Sequence, residues 1–223
     1  MTRRRWIYGF FALMVLAQVG VVAAMIITHE QTLKTGVPFR FRIALYDPAD
    51  PFRGRYVAVR VESNTVPLPD GMSFGRNDKV WVVIRQGDNG FAQLNHITRE
   101  RPKTESYITA RVRRVNKNTV HLNLPFDRYY MNEKDAPAIE AFFRDQRARI
   151  SAEAQKHLGK DKDWQARDQF IRERFNQLLQ NPYVMVRVRS GNAVLEAMYV
   201  GNKPIREFVR EQISSASQPP YHR

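Results

Sequence analysis

Residues Trp6 to Thr28, WIYGFFALMVLAQVGVVAAMIIT, run for 23 positions without a charged side chain, and Gln18 is the one strongly polar residue among them. As an α-helix such a run extends about 35 Å at 1.5 Å per residue, more than the roughly 30 Å of a bilayer's hydrocarbon core. Trp6 and Tyr8 stand at one end, where amphipathic rings favour the headgroup level. The run divides the chain into a short tail (residues 1–5), a membrane helix (6–28) and a globular remainder. Two other readings compete. A buried core helix of this length would carry a polar stripe. A cleaved signal peptide draws support from Arg3, Arg4 and Arg5 as a positive n-region, and from small residues at Ala17 and Ala24. The run outlasts an h-region of about 7–15 residues, so the reading adopted is an uncleaved signal anchor.

Orientation follows from the arginines. Three positive charges precede the span and Lys34 alone follows closely, which keeps the N-terminus cytoplasmic and exports everything from about His29. In a bacterium this is an inner-membrane protein with a periplasmic C-terminal domain. The chain has no cysteine, which excludes disulfides and thiolate chemistry. Three of its 36 basic residues precede the span and all 22 acids follow it, so the exported part carries a formal +11. In a cytosolic chain this balance would point to nucleic acid. The topology argues against that partner, and no zinc-finger, homeodomain or RNP spacing supports it. A solvated basic surface, with some attraction to anionic lipid, is the consequence expected.

Strand signals dominate the exported part. Phe39, Phe41, Ile43 and Leu45 alternate with Arg40, Arg42, Ala44 and Tyr46, a period of two that marks a half-buried strand. Tyr56 to Glu62 alternates again, with Val57, Val59 and Val61 on one face. Three hairpins follow. The first joins Lys79–Arg85 to Phe91–Thr98 through Gly87-Asp88-Asn89-Gly90. The second joins Tyr107–Val115 to Thr119–Leu124 through Asn116-Lys117-Asn118. The third joins Tyr183–Arg189 to Ala193–Val200 through Ser190-Gly191-Asn192.

Helical period appears between the sheets. Asp135 with Pro137 opens one helix bearing Ile139, Phe142 and Phe143, and a second after Asp163 aligns Trp164, Ile171, Phe175 and Leu178. Between them SAEAQKHLGKDKD is polar and reads as a hinge, a solvated helix end or a mobile tip. The pattern gives an α+β fold with mostly antiparallel pairing, a domain over about residues 35–210 carrying a helical hairpin insertion at about 144–181, and a flexible tail at 211–223.

At Gly54-Arg55-Tyr56-Val57-Ala58-Val59-Arg60-Val61 the chain resembles the signature of the GDYXXLXY family of bacterial membrane-anchored proteins. Gly54 and Tyr56 are kept. Arg55 replaces the acid, Val59 the leucine and Val61 the last tyrosine, so the strand character survives while one charge is reversed. The surroundings are similar too: an anchor, a strand, the Asp47-Pro48-Ala49-Asp50-Pro51 turn, and later Asp127-Arg128-Tyr129-Tyr130-Met131-Asn132-Glu133 ahead of a helix. The resemblance implies a location and a fold, and hints at a multipass inner-membrane protein as partner.

The Asp-Pro turn has a structural explanation. Proline presets φ, an Asp side chain accepts from backbone amides nearby, and Gly54 supplies a conformation that other residues resist. The density of polar groups raises a second role. If the turn folds against the Asp127 segment, Asp47, Asp50, Arg53, Gly54, Arg55 and Tyr56 would meet Asp127, Arg128, Tyr130 and Glu133 in a binding site. The five histidines are scattered without metal-ligand spacing, so neither a metal nor another cofactor is expected. No nucleophile elbow or phosphate-binding Gly loop occurs. An anchored, β-rich domain vaguely resembles type I signal peptidases, whose serine needs an activating lysine. Ser73 is a faint candidate with no lysine placed to serve it. The expectation is a non-catalytic interaction domain for a membrane partner, with a ligand-binding or hydrolase-like site at the turn as the alternative.

Overall fold

A computed structural model describes residues 2–44, 52–53, 56–159 and 164–216 of the chain. It opens with α1 (Thr2–Thr35), a helix of 34 residues. Every large apolar side chain from Trp6 to Ile27 lies bare, with exposures of 37–69 %. This removes the core-helix reading and leaves a helix long and apolar enough to cross a membrane. The last two turns of α1 behave differently. Thr32 is 1 % exposed, and its hydroxyl donates to the Thr28 carbonyl at 2.8 Å. The helix stops at Gly36, whose amide donates to the Thr32 carbonyl.

β1 (Val37–Ala44) then starts the first of three antiparallel sheets. Its neighbours are β4 (Arg60–Val61) on one side and β11 (Tyr183–Arg189) on the other. Beyond β11 come β12 (Asn192–Val200) and β13 (Lys203–Pro204). The register sets Phe39 opposite Val186 and Phe41 opposite Val184, so the period-two residues of both strands fall on one face. That face is covered by α2 (Ala136–Leu158), α3 (Trp164–Leu178) and α4 (Ile205–Ala216), through Ile139, Phe142, Phe143, Phe175, Leu179, Ile205 and Val209.

The second sheet holds β5 (Thr65–Pro67), β9 (Thr119–Asn123), β8 (Tyr107–Asn116), β6 (Lys79–Gln86) and β7 (Ala92–Thr98), in that order. Its edge strands β5 and β7 touch, so the sheet curls round a separate core of Val66, Val80, Val82, Ile97, Val112, Val120 and Leu122. Leu94 and Leu124 pack against both cores. The β11–β12 turn meets β8, where the Thr109 amide donates to the Gly191 carbonyl at 2.8 Å. The third sheet is small: β10 (Arg128–Tyr130), β3 (Tyr56–Ala58) and β2 (Phe52–Arg53).

Three sequence expectations change. The single strand Tyr56 to Glu62 is two strands in two sheets. The Val59 amide still donates to the Asp127 carbonyl at 2.8 Å, and then the chain crosses to pair Arg60 and Val61 with β1. Asp135 holds the N-cap position of α2, but its backbone is already helical and its side chain makes no cap hydrogen bond. Instead the Asn132 carbonyl accepts from the amides of Asp135 and Ala136. The first part of the polar segment after Ile150 continues α2 to Leu158 with Ala154 fully buried, and its residues 160–163 lie outside the described residues. Where the sequence suggests a tail from residue 211, α4 continues to Ala216.

Candidate functional site

The small sheet brings the two halves of the sequence-predicted site together. Tyr56 pairs opposite Tyr130, Val57 opposite Tyr129 and Ala58 opposite Arg128, while Arg53 lies opposite Tyr56 on the other side. Strand alternation then puts Tyr56, Arg128 and Tyr130 on one face and Tyr129 on the other. The Tyr56 and Tyr130 rings are 5.9 Å apart between centroids, tilted by 53°. The Arg128 Cζ lies 5.3 Å from the centre of the Tyr56 ring, within cation–π range. Arg128 Nε is 3.9 Å from Asp127 Oδ1. The Arg128 guanidinium is held more firmly protonated than an ordinary arginine, chiefly by its hydrogen bond with the Tyr130 side chain, with Asp127 and the two phenols adding.

Tyr129 is the inward counterpart. It packs against the main core, and burial raises its phenol above the usual tyrosine range. Arg206 works against that shift, while Asp135 and Tyr199 reinforce it. One strand of three residues thus has a core-facing side that holds it and an outward side that displays a cation, set over the Tyr56 ring of the neighbouring strand, beside Tyr130.

Of the other predicted residues, Glu133 lies in the turn between β10 and α2. Asp127 is exposed, and its carbonyl rather than its carboxylate holds Val59. Asp47, Asp50, Gly54 and Arg55 lie outside the described residues, and of Arg53 only the backbone pairing is described. The described part of the site is an open face, since Tyr130 is 66 % exposed. Aromatic and arginine side chains of this kind anchor protein interfaces. Ser73 sits in the loop between β5 and β6, and its carbonyl accepts from Arg99 at 2.5 Å. Among the described residues no cluster of His, Asp or Glu is placed to hold a metal ion.

The sequence reading missed a second gathering of arginines, in a cleft bordered by Arg60 of β4, Arg76 of the β5–β6 loop, and Arg113 and Arg114 of β8. Its signal was present. Arg113 and Arg114 are adjacent like charges inside a strand whose other positions alternate, and such a pair marks a break in the pleat.

No curated protein and no solved structure matches the chain. The family model described as GDYXXLXY protein matches residues 18–198, from the second half of the apolar helix to near the end of β12, and the chain belongs to that family.

Proposed function

We propose that the chain is a single-pass inner-membrane protein, with its N-terminus in the cytoplasm, that holds an α+β interaction domain at the periplasmic surface for a second, multipass membrane protein. The observation that carries this reading is the contrast along α1. Its Trp6–Ile27 surface is bare of protein contacts, while its final turns are fastened to the folded domain. There, Arg189 Nη1 donates to Gln31 Oε1 at 2.8 Å and Arg187 Nη1 to the Gly36 carbonyl at 3.3 Å. A helix joined to its domain in this way would set the domain's height and orientation above a bilayer, as a flexible linker would not. The partner-facing surface we assign to Tyr56, Arg128 and Tyr130. Their openness favours a docking face over an enclosed reaction site.

The test has two readouts. Carbonate washing of membranes should leave the full-length chain in the pellet, and its release as a shortened soluble form would overturn the anchor. Cross-linking in intact cells, followed by tagged purification and mass spectrometry, should capture one multipass membrane protein with wild type. That capture should fail with Tyr130→Ala, once the variant is shown to fold by its thermal transition. Equal capture by Tyr130→Ala would move the docking face elsewhere, and no specific membrane protein in either sample would sink the interaction role.

A further inference from the structure

An open cleft of about 630 Å³ is bordered by Arg60 of β4 in the first sheet, Arg76 of the β5–β6 loop, Arg113 and Arg114 of β8, and His121 of β9. Two local devices assemble it. The first is a bulge in β8. The pairing steps from Val112 opposite Leu122 to Arg114 opposite His121, which leaves Arg113 without a partner on β9. A regular strand would send Arg113 and Arg114 to opposite faces. The extra residue re-aims the strand so that both border one cleft. The second device is a pinned loop. The Asn77 amide donates to the Val112 carbonyl at 2.7 Å and the Val112 amide to the Asp78 carbonyl at 2.9 Å. Arg111 Nη1 donates to the Asn77 carbonyl at 3.1 Å, and Asp78 Oδ2 accepts from the Gly75 amide at 2.8 Å. Arg76 is thereby fixed beside the bulge.

Several arginines elsewhere on the chain meet acids: Arg85 meets Glu105 at 3.1 Å, Arg149 meets Asp145 at 3.0 Å and Arg187 meets Glu196 at 2.7 Å. No Asp or Glu is among the described residues lining this cleft. Like charges gathered at one cleft repel, and the planar fork of arginine matches a tetrahedral oxyanion through paired N–H donors. Phe74 adds an apolar wall, braced by the Arg99 guanidinium 5.1 Å over its ring.

We propose that this cleft binds a phosphate-bearing anion, with Arg76, Arg113 and Arg114 as its principal ligands. The cleft is open and has room beyond one phosphate, which admits a group carried on a larger body, either a soluble phosphate compound or a lipid headgroup. The test uses the full chain in neutral detergent at fixed ionic strength, titrated by calorimetry with inorganic pyrophosphate and, separately, with dihexanoylphosphatidylglycerol below its micellar concentration. Arg113→Ser with Arg114→Ser should weaken binding at least tenfold. Arg76→Ser, in the loop rather than the sheet, should weaken it at least threefold, and Arg149→Ser on α2 should leave it unchanged. Pyrophosphate bound alone, or the more tightly, assigns a soluble phosphate. Dihexanoylphosphatidylglycerol bound alone, or the more tightly, assigns a headgroup. Binding of neither probe, or equal binding by wild type and all variants, overturns the site.

Discussion

The small sheet and the bulged cleft both display guanidinium groups, in opposite company. Arg128 lies over the Tyr56 ring, is held firmly protonated with Tyr130 as the chief cause, and has Asp127 nearby. The arginines of the cleft are gathered with a histidine and, among the described residues that line it, no acid. The first arrangement holds itself together without a ligand. The second is one that folding alone would not select, because each added cation raises the repulsion of the rest. The comparison teaches that a cluster's partners, rather than its charge, separate a group that supports the fold from one that awaits a ligand. If so, mutations in the two places should move stability in opposite directions.

The largest effect expected lies at the joint that holds the second sheet to the first. Ser190 and Gly191 form the two-residue turn between β11 and β12 with φ of 51° and 86°, the left-handed pair that such hairpins require. A Cβ on Gly191 would come within 2.7 Å of the Tyr107 ring and 2.8 Å of Thr109 Oγ1. Gly191→Ala should therefore cost about 2–4 kcal/mol from backbone strain and overpacking together. Hydrogen exchange on the solubilised chain should show amides of β8 from Thr109 onward losing protection while the β3–β10 pairing keeps its own. Equal loss in both would mean that the two arginine surfaces are parts of one cooperative unit, and single-site stabilities could not then be compared between them.

Next comes Tyr129, which ties the small sheet to the core. Tyr129→Ala should cost about 2 kcal/mol, below the 3–5 kcal/mol of a fully buried aromatic because this ring is only half-buried. The same residue carries a pH dependence. Its folded phenol titrates above the unfolded value of about 10. The stability it contributes is thus complete below about pH 10 and lost as pH rises from there through the folded value. Urea titrations at several alkaline pH values should show the decline in wild type and a shallower one in Tyr129→Phe. Parallel declines would mean that this phenol is not protected in the folded state.

Most of the first sheet was legible in the sequence, because one face of each strand is buried and the alternation of Phe39, Phe41 and Ile43 records it directly. The hairpins were legible from their turn residues. The helix α4 was not recognised, although Ile205, Val209 and Ile213 repeat at a spacing of four. Its apolar residues sit among Arg206, Glu207, Arg210 and Glu211, and Gly201-Asn202 just ahead announces a chain end as readily as a turn. The meeting of Tyr56 with the Asp127 segment was anticipated only as a conditional fold, and the register that sets Tyr56 opposite Tyr130 was beyond the sequence. Pairing across more than 70 residues depends on where β1 and the main core hold both segments, not on either segment's own pattern. The cleft was missed for a related reason, since a bulge is a property of two strands in register and a sequence read one strand at a time shows only its doubled arginine.

Within the small sheet the aromatic pair can be isolated. A double-mutant cycle of Tyr56→Leu and Tyr130→Leu should give a coupling of about 0.5–1.5 kcal/mol, the usual range for tilted rings at this separation. Removing Arg128 by Arg128→Ala should lower stability less than the aromatic coupling does, an exposed cation–π contact being weak. Both effects are read from denaturant midpoints at unchanged slope. A coupling near zero would leave the rings as display groups that hold nothing, and the contrast with the cleft would then rest on charge alone.

The smallest effect is the most discriminating, because its sign is opposite. Arg113→Gln with Arg114→Gln removes two cations from a cleft whose described lining offers them no carboxylate. Each replacement keeps a long polar side chain at an exposed position of β8, so packing should change little. Relief of repulsion should raise stability by a few tenths of a kcal/mol at low ionic strength, where screening is weak. The gain should fade toward zero in about 1 M salt, where the Debye length falls to roughly 3 Å. The same pair of changes should abolish the added stability that wild type gains from pyrophosphate, since a ligand that binds only the folded state stabilises it by mass action. A variant more stable alone and less stable with the anion is what a binding cluster produces, because natural chains sacrifice stability at sites kept for function. Destabilisation at low salt would place these arginines with Arg128, as part of what holds the sheet.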